Sequence, residues 1–227
     1  MLTEDSRGRL KIFHNPNPSH TYAIGADVAL GIDGGDYSTA FVIDKDLRQC
    51  ASWHGHIDPD LFGKMLCRLG EHYNKALLAP EVNNMGHTTL SKIKELGYGN
   101  LYTRFIEDER ADKRTKKLGW QTNTKTKMDM LNGLVSAYRD GLIEVNDLDL
   151  LKEMLTLTID PDGDVNLNGK DRVVSACIAL EAIKQAQSDK FKAIVPETRV
   201  DTKNFKTLEE KIKYYENKRK RTQDSYF

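Results

Sequence analysis

The hydrophobic pattern changes period several times along the chain. Tyr22-Ala23-Ile24-Gly25-Ala26 is a short apolar run that ends in Asp27, and Tyr37 to Ile43 is rich in β-branched and aromatic residues, which suits a pleated, half-buried surface. Between them lie Gly31, Gly34 and Gly35, able to take the positive φ that a tight reversal needs. A third strand is expected at 49–57, so this part of the chain reads as an antiparallel meander. Asp58-Pro59 then opens a helix, with Asp as N-cap and Pro at the first helical position. Leu61, Met65, Leu69 and Tyr73 recur every four residues and predict its buried face. Ala76-Leu77-Leu78-Ala79-Pro80 is apolar throughout, as in a strand covered on both faces, and it ends at Glu81.

Residues 86–96 predict a second helix with Leu90, Ile93 and Leu96 inward and Gly97 as its stop. Segment 100–105 reads as a fifth strand, and 107–118 is too charged to be core. A helix follows over 126–140 with Met128, Leu131, Val135 and Tyr138 inward, then a shorter one to about 155 capped by Asn146 or Asp147. A hairpin is expected over 156–168, turning at Pro161-Asp162-Gly163, and an alanine-rich helix from Asp171 to about 187. The expected fold class is α/β: a mixed five-stranded sheet flanked by helices, with an additional β-hairpin before the last core helix. Residues 1–20, with Pro16 and Pro18, read as an N-terminal arm or linker, 21–188 as one domain, and 189–227 as a charged C-terminal tail. Within the tail, 206–223 reads either as a solvated helix or as a disordered basic end.

Composition narrows the function by exclusion. Lys+Arg and Asp+Glu are both 34 in 227 residues, so net charge argues for neither nucleic acid nor membrane, and a polyanion would have to be held by local patches. Three cysteines, odd in number and widely spaced, argue against a disulfide framework and fit a reducing compartment. No apolar run reaches membrane-spanning length, and the N-terminus has no signal-peptide core, so a soluble intracellular protein is expected.

Asp27, Glu81 and Asp171 stand out together. Each alone reads equally well as a turn or cap residue. In the order β-β-β-α-β-α-β plus a late helix, two of them end neighbouring central strands and the third starts a helix that packs over those ends. Three converging carboxylates repel one another and raise one another's pKa values, a conflict that divalent cations resolve. Mg²⁺ and Mn²⁺ prefer oxygen ligands, and two ions about 4 Å apart stabilise both the attacking and the leaving oxygens of an in-line phosphodiester displacement. Asp33 and Asp36, in the glycine-rich turn, are candidates for outer metal ligands or for turn residues bonded to their own backbone. Positive patches that would contact a nucleic-acid backbone are Lys113, Arg114, Lys116 and Lys117, then Lys125 and Lys127, then Lys170 and Arg172. Glu107, Asp108, Glu109 and Asp112 dilute the first patch, so a solvated charged loop is the other reading of it.

Read together, GADVALGIDGGDYSTAFVID, LLAPEVNNMGHTTLSKIKELGY, GWQTNTKTKMDMLNGLVSAY and NGKDRVVSACIALEA resemble the nuclease domain of bacteriophage large terminases, the motors that package viral DNA. The resemblance spans roughly residues 20–188. It implies a ribonuclease-H-like fold and two-metal (Mg²⁺ or Mn²⁺) endonucleolytic cleavage of double-stranded concatemeric viral DNA during genome packaging. Asp27 matches the family's first acid, Glu81 the second, within an E-x-N-x-x-G pattern, and Asp171 the third. It further implies a viral protein in the host cell cytoplasm, partnered by a terminase ATPase domain, a small terminase subunit and a portal protein. It also implies that the 156–168 hairpin hangs over the active site and regulates access. Two features depart from the family. Lys170 stands where members often carry the first of two paired acids, and no G-x-x-x-x-G-K-[ST] occurs, so the packaging ATPase is not expected within these residues.

Two other functions fit parts of the same sequence. The Gly31–Gly35 turn between strands is similar to the phosphate-binding turn of sugar kinases and actin-like ATPases, although no repeat supplies their second domain. A non-catalytic DNA- or portal-docking module would use the acids structurally and the tail for binding. His54 and His56 face one way on a strand but lack a third ligand nearby in sequence. Cys67, Cys177, Trp53 and Trp120 read as core residues.

Overall fold

The structure is a computed structural model, and it describes residues 9–32, 34–108, 113–160 and 165–194, with backbone only at 107–108, 113–114, 159 and 189–194. The first eight residues, Asp33, residues 109–112, residues 161–164, where a turn is expected, and the residues beyond 194 lie outside the described residues. The chain runs β1 (Leu10–Ile12), β2 (Tyr22–Asp27), β3 (Ser38–Asp44), β4 (Gln49–Gly55), α1 (Pro59–His72), β5 (Leu77–Pro80) and α2 (Gly86–Glu95). It continues β6 (Thr103–Asp108), β7 (Lys113–Leu118), α3 (Thr124–Arg139), α4 (Leu148–Leu155), β8 (Thr158–Ile159), β9 (Val165–Asn166) and α5 (Asp171–Ile194).

A five-stranded mixed sheet, in the order β1-β4-β3-β2-β5, forms the centre. The meander β2–β3–β4 is antiparallel, as its short turns require, and β5 returns parallel to β2 after the α1 crossover. Alternate residues of the central strands face opposite cores. Tyr22, Ile24, Ala26, Ala40, Val42 and Leu78 pack with Phe62, Leu66 and Leu69 of α1 and Leu90 and Ile93 of α2. Ala23, Phe41, Ile43, Leu77 and Ala79 pack with α3, α4 and the alanine-rich face of α5. Covered on both faces, β2 and β5 carry continuous apolar runs, which is why their terminal acids stand out in the sequence.

Three expectations are corrected in detail. The fifth strand is β1, a three-residue edge strand within the segment read as an arm, paired Leu10↔Trp53 to Ile12↔Ala51. Segment 100–105 reaches the sheet only through the Leu78↔Leu101 bridge and then leaves it as β6. The charged stretch after it is no loop: its second half is β7, antiparallel to β6 from Thr103↔Leu118 outward. Helix faces are also rotated. Leu61 of α1, Leu96 after α2, and Val135 and Tyr138 of α3 are each 45% exposed, whereas Phe62, Leu66, Met130, Leu134 and Ala137 are buried. The hairpin before the last helix forms as expected, Thr158↔Asn166 and Ile159↔Val165.

Met1–Lys190 is one compact unit; of the second, Phe191–Phe227, only the end of α5 is described. The three cysteines are free and buried. No described helix is long and apolar enough to cross a membrane.

Candidate active site

The parallel pairing of β2 and β5 brings the first two acids together. Its register runs Ala23↔Leu77 to Ala26↔Pro80, so Asp27 and Glu81 are the next residue on each strand, at the same edge of the sheet. The Glu81 N–H donates to the Ala26 carbonyl at 2.8 Å, and on its far side Val82 N donates to the Trp120 carbonyl at 2.7 Å. Glu81 is thus held between β2 and the segment that follows β7.

Helix α5 delivers the third acid. At Gly25, in the middle of β2, an added Cβ would fall 2.2 Å from the Ser175 carbonyl oxygen and 2.3 Å from the Ala179 nitrogen, so α5 crosses β2 in backbone contact. The Thr39 hydroxyl, opposite Asp27 in the β2–β3 ladder, donates to the Asp171 carbonyl at 2.8 Å. Tyr37 N donates to Asp171 Oδ2 at 3.3 Å. Glu153 of α4 accepts from Arg172 N (3.0 Å) and Val173 N (3.2 Å), serving the unpaired amides at the start of α5.

Charge follows this geometry. Burial, the Glu81 charge, a hydrogen bond with Glu81 and the Asp171 charge together push the Asp27 carboxyl well above the usual carboxylate range. Burial chiefly, with the charges of Glu153 and Asp36, raises Asp171 to about 6, against the opposing Tyr37 hydrogen bond and Arg172 charge. Hard oxygen donors that mutually disfavour ionisation are the donor set that suits Mg²⁺ or Mn²⁺.

The other sequence candidates divide. Asp36 lies close enough to Asp171 to raise its pKa and lines an open cleft of about 590 Å³ with Val28, Leu30, Ile32, Asn83 and Met85. Asp33 lies outside the described residues. Lys116 and Lys117 are exposed on the β6–β7 ribbon, opposite Phe105 and Arg104, while the Lys113 and Arg114 side chains are outside the described residues. Lys125 and Lys127 occupy the first turn of α3, whose N-cap Asn123 and Thr126 form a capping box. Lys170 Nζ donates to Thr156 Oγ1 at 2.6 Å. Arg172 is turned inward, with Nη1 2.7 Å from Glu153 Oε1 and Nε 3.9 Å from Asp147 Oδ2.

The histidine pair stands on either side of Tyr37, whose N–H bonds Asp171. His54 and His56 flank the Tyr37 ring at centroid distances of 4.3 and 4.1 Å, and burial lowers His54 to about 4. Among the described residues, the three potential ligands whose atoms all lie within 4.8 Å of one another are His20, Asp44 and Asp46. They sit at the other end of β2 and β3, where Tyr22 pairs with Asp44. A cation is already there: Arg48 Nε and Nη2 donate to Asp44 Oδ2 at 2.9 and 2.7 Å and hold that carboxyl low. Sequence reasoning missed the supporting residues Thr39, Gly25 and Glu153, none of which carries a local signal for its long-range partner; Asn83 stands in the E-x-N-x-x-G pattern, but nothing local shows its bond to Val28.

No protein-family model matches the chain, and no curated protein does. Solved structures match in fold. The crystal structure of the large terminase nuclease from thermophilic phage G20c with bound magnesium superposes with TM-score 0.60 at 19% identity, over 80% of this chain and 91% of that one. The same nuclease with bound zinc gives TM-score 0.57 at 20% identity, covering 80% and 92%. The large terminase nuclease domain of Thermus phage P74-26 gives 0.56 at 18%, covering 79% and 88%. The chain therefore has the ribonuclease-H-like fold of the phage large terminase nuclease domains.

Proposed function

We propose that the chain is a divalent-metal-dependent endonuclease that cuts double-stranded, concatemeric viral DNA during genome packaging. The observation that carries the proposal is the placement of Asp27 and Glu81 at the ends of paired strands, with Asp171 brought to the same sheet edge by the Thr39 bond to its carbonyl. Asp27, Glu81 and Asp171 would hold Mg²⁺ or Mn²⁺, two ions in the reading preferred here, with Asp36 and Asp33 as outer ligands. Bound there, the ions supply charge stabilisation to the scissile phosphate and lower the pKa of water. Glu81 is fixed from both sides, Thr39 and Tyr37 orient Asp171, and Glu153 secures the start of α5.

Lys116 and Lys117 on the ribbon, with Lys125 and Lys127, supply duplex-backbone contacts without reading sequence, and Lys113 and Arg114 extend that strip along the chain. Arg172, engaged with Glu153, is assigned to the fold. An ATPase domain, a small terminase subunit and a portal are the partners this function requires, in the cytoplasm of the infected host. Supercoiled plasmid with Mg²⁺ or Mn²⁺, beside Asp27→Ala and an EDTA control, is the test. Nicking by the wild type alone is expected. Equal nicking by Asp27→Ala would remove the acids from the chemistry, and no nicking by folded protein would favour the docking module.

A further inference from the structure

We propose that Asn83 is a positioning residue that clasps the two acid-bearing strand ends together; the inference rests on the reading of Asp27 and Glu81 as metal ligands. The β2–β5 ladder ends at Ala26↔Pro80, and both acids lie one residue beyond it. At that point the backbones separate, β2 into the glycine-rich loop and β5 into the turn before α2. The last backbone bond between the two strands is that from Glu81 N–H to the Ala26 carbonyl, so repulsion between the carboxyls acts where their pairing runs out.

Asn83 spans this gap with both ends of its amide. Its Nδ2 donates at 2.9 Å to the carbonyl of Val28, the residue after Asp27. Its Oδ1 accepts from Gly86 N at 2.8 Å and Met85 N at 3.2 Å, the start of α2. The turn it closes is packed hard against the second acid. A Cβ at Gly86 would fall 1.7 Å from the Glu81 carbonyl oxygen and 3.3 Å from Asn83 Oδ1. The chain passes from Glu81 to Gly86 in five residues, and the one side chain within it that bonds to the Asp27 strand is Asn83, among the described residues. Asn83 is itself exposed, so the fold does not need it for burial. Its bonds join the exit of one acid to the exit of the other, the arrangement by which outer residues fix metal-ligand spacing.

Calorimetric titration of the whole chain with MnCl₂, without DNA, tests the clasp. Asn83→Ser keeps a hydroxyl able to cap α2 but is too short to reach Val28. It is expected to weaken Mn²⁺ binding roughly 10- to 100-fold, while the metal-free melting temperature stays within about 5 °C of wild type. Asn83→Gln keeps donor and acceptor on a longer arm and is expected to fall between the two. Wild-type affinity in Asn83→Ser overturns the proposal, as does a metal-free melting temperature lowered beyond that margin, which would make Asn83 a fold residue. Glu81→Gln separates the two levels. If it binds Mn²⁺ like wild type, the metal-centre reading fails; if it loses binding while Asn83→Ser keeps it, only the clasp fails.

Discussion

Asp27 is held in a state that the unfolded chain does not impose. Folding buries it beside Glu81 and Asp171 and raises its pKa, so the native state retains a proton there that the unfolded chain releases. In metal-free protein this opposes folding at neutral pH. Asp27→Asn removes the ionisation, so we expect a higher metal-free melting temperature at pH 7.5 than wild type. The same variant should lose the rise in melting temperature that Mg²⁺ or Mn²⁺ gives wild type, and cleave plasmid at least ~100-fold more slowly. A differential scanning fluorimetry series with and without MnCl₂ checks it; a lowered metal-free melting temperature would make Asp27 an ordinary structural carboxylate. Gly25 acts by what it lacks. Gly25→Ala places a methyl group within 2.2 Å of the Ser175 carbonyl oxygen, and α5 must move away from β2, carrying Asp171 with it. The expected cost is ~1–3 kcal/mol by chemical denaturation, with activity lost beyond what unfolding explains.

Among the elements, the β6–β7 ribbon and the β8–β9 hairpin stand outside the sheet, and the residues that follow each carry them back to the acids. The ribbon's return strand leads to Trp120, which bridges Glu81, and the hairpin's return strand leads to Asp171. Lys116 and Lys117 project from the ribbon into solvent, so Lys116→Ala with Lys117→Ala should weaken duplex binding uniformly across sequences. The slope of log affinity against log salt should fall by about one for each lysine that contacts phosphate. Fluorescence anisotropy at several salt concentrations measures both, and an unchanged slope would return the ribbon to a solvated surface role. For the hairpin, deleting Asp162–Asp164 should change the cleavage rate and leave the melting temperature nearly unchanged; a large fall in melting temperature would show that it supports the core instead.

These elements also show where the pattern of residues was informative. Strands β2, β3 and β5 were legible because burial on both faces demands continuous apolar runs, and β1 was not, because an edge strand of three residues needs little beyond free backbone groups. On α3 the apolar residues form two overlapping stripes. The buried one contains Ala137, where a small side chain lets the helix approach the sheet, and not Val135 and Tyr138.

For the whole molecule, the acid cluster makes stability depend on pH in one direction. Asp171 rises from the ordinary 3.8 to about 6, and Asp27 is raised well above the usual range for the same first reason, burial. Between the unfolded and folded pKa values the native state binds more protons, so stability falls as pH rises through that window and stays low above it. Half-buried His54, lowered to about 4, acts in the opposite sense below its ordinary 6.5, so the share of the acids is read by comparison. Between pH 5 and pH 8, metal-free Asp171→Asn should gain melting temperature relative to wild type, and added Mn²⁺ should raise the wild-type melting temperature more at pH 8. Thermal melts of both proteins across that range test this; an Asp171→Asn difference that does not grow with pH would contradict the raised pKa of Asp171.

The sequence by itself determined the α/β class, the central meander and the hairpin before the last helix, and it singled out three acids as candidates. Each is written in local periodicity, in turn residues, or in a carboxylate ending an apolar run, features that short-range sterics and burial impose. Only the tertiary structure decided which strand completes the sheet, which stripe of each helix turns inward, and that Arg172 pairs with Glu153. It alone brought Thr39 and Gly25 against the helix that carries Asp171 and Asn83 against the carbonyl of Val28. Those assignments depend on contacts between residues far apart in the chain, where ladder register, backbone approach and competition among charges are settled only once the layers pack.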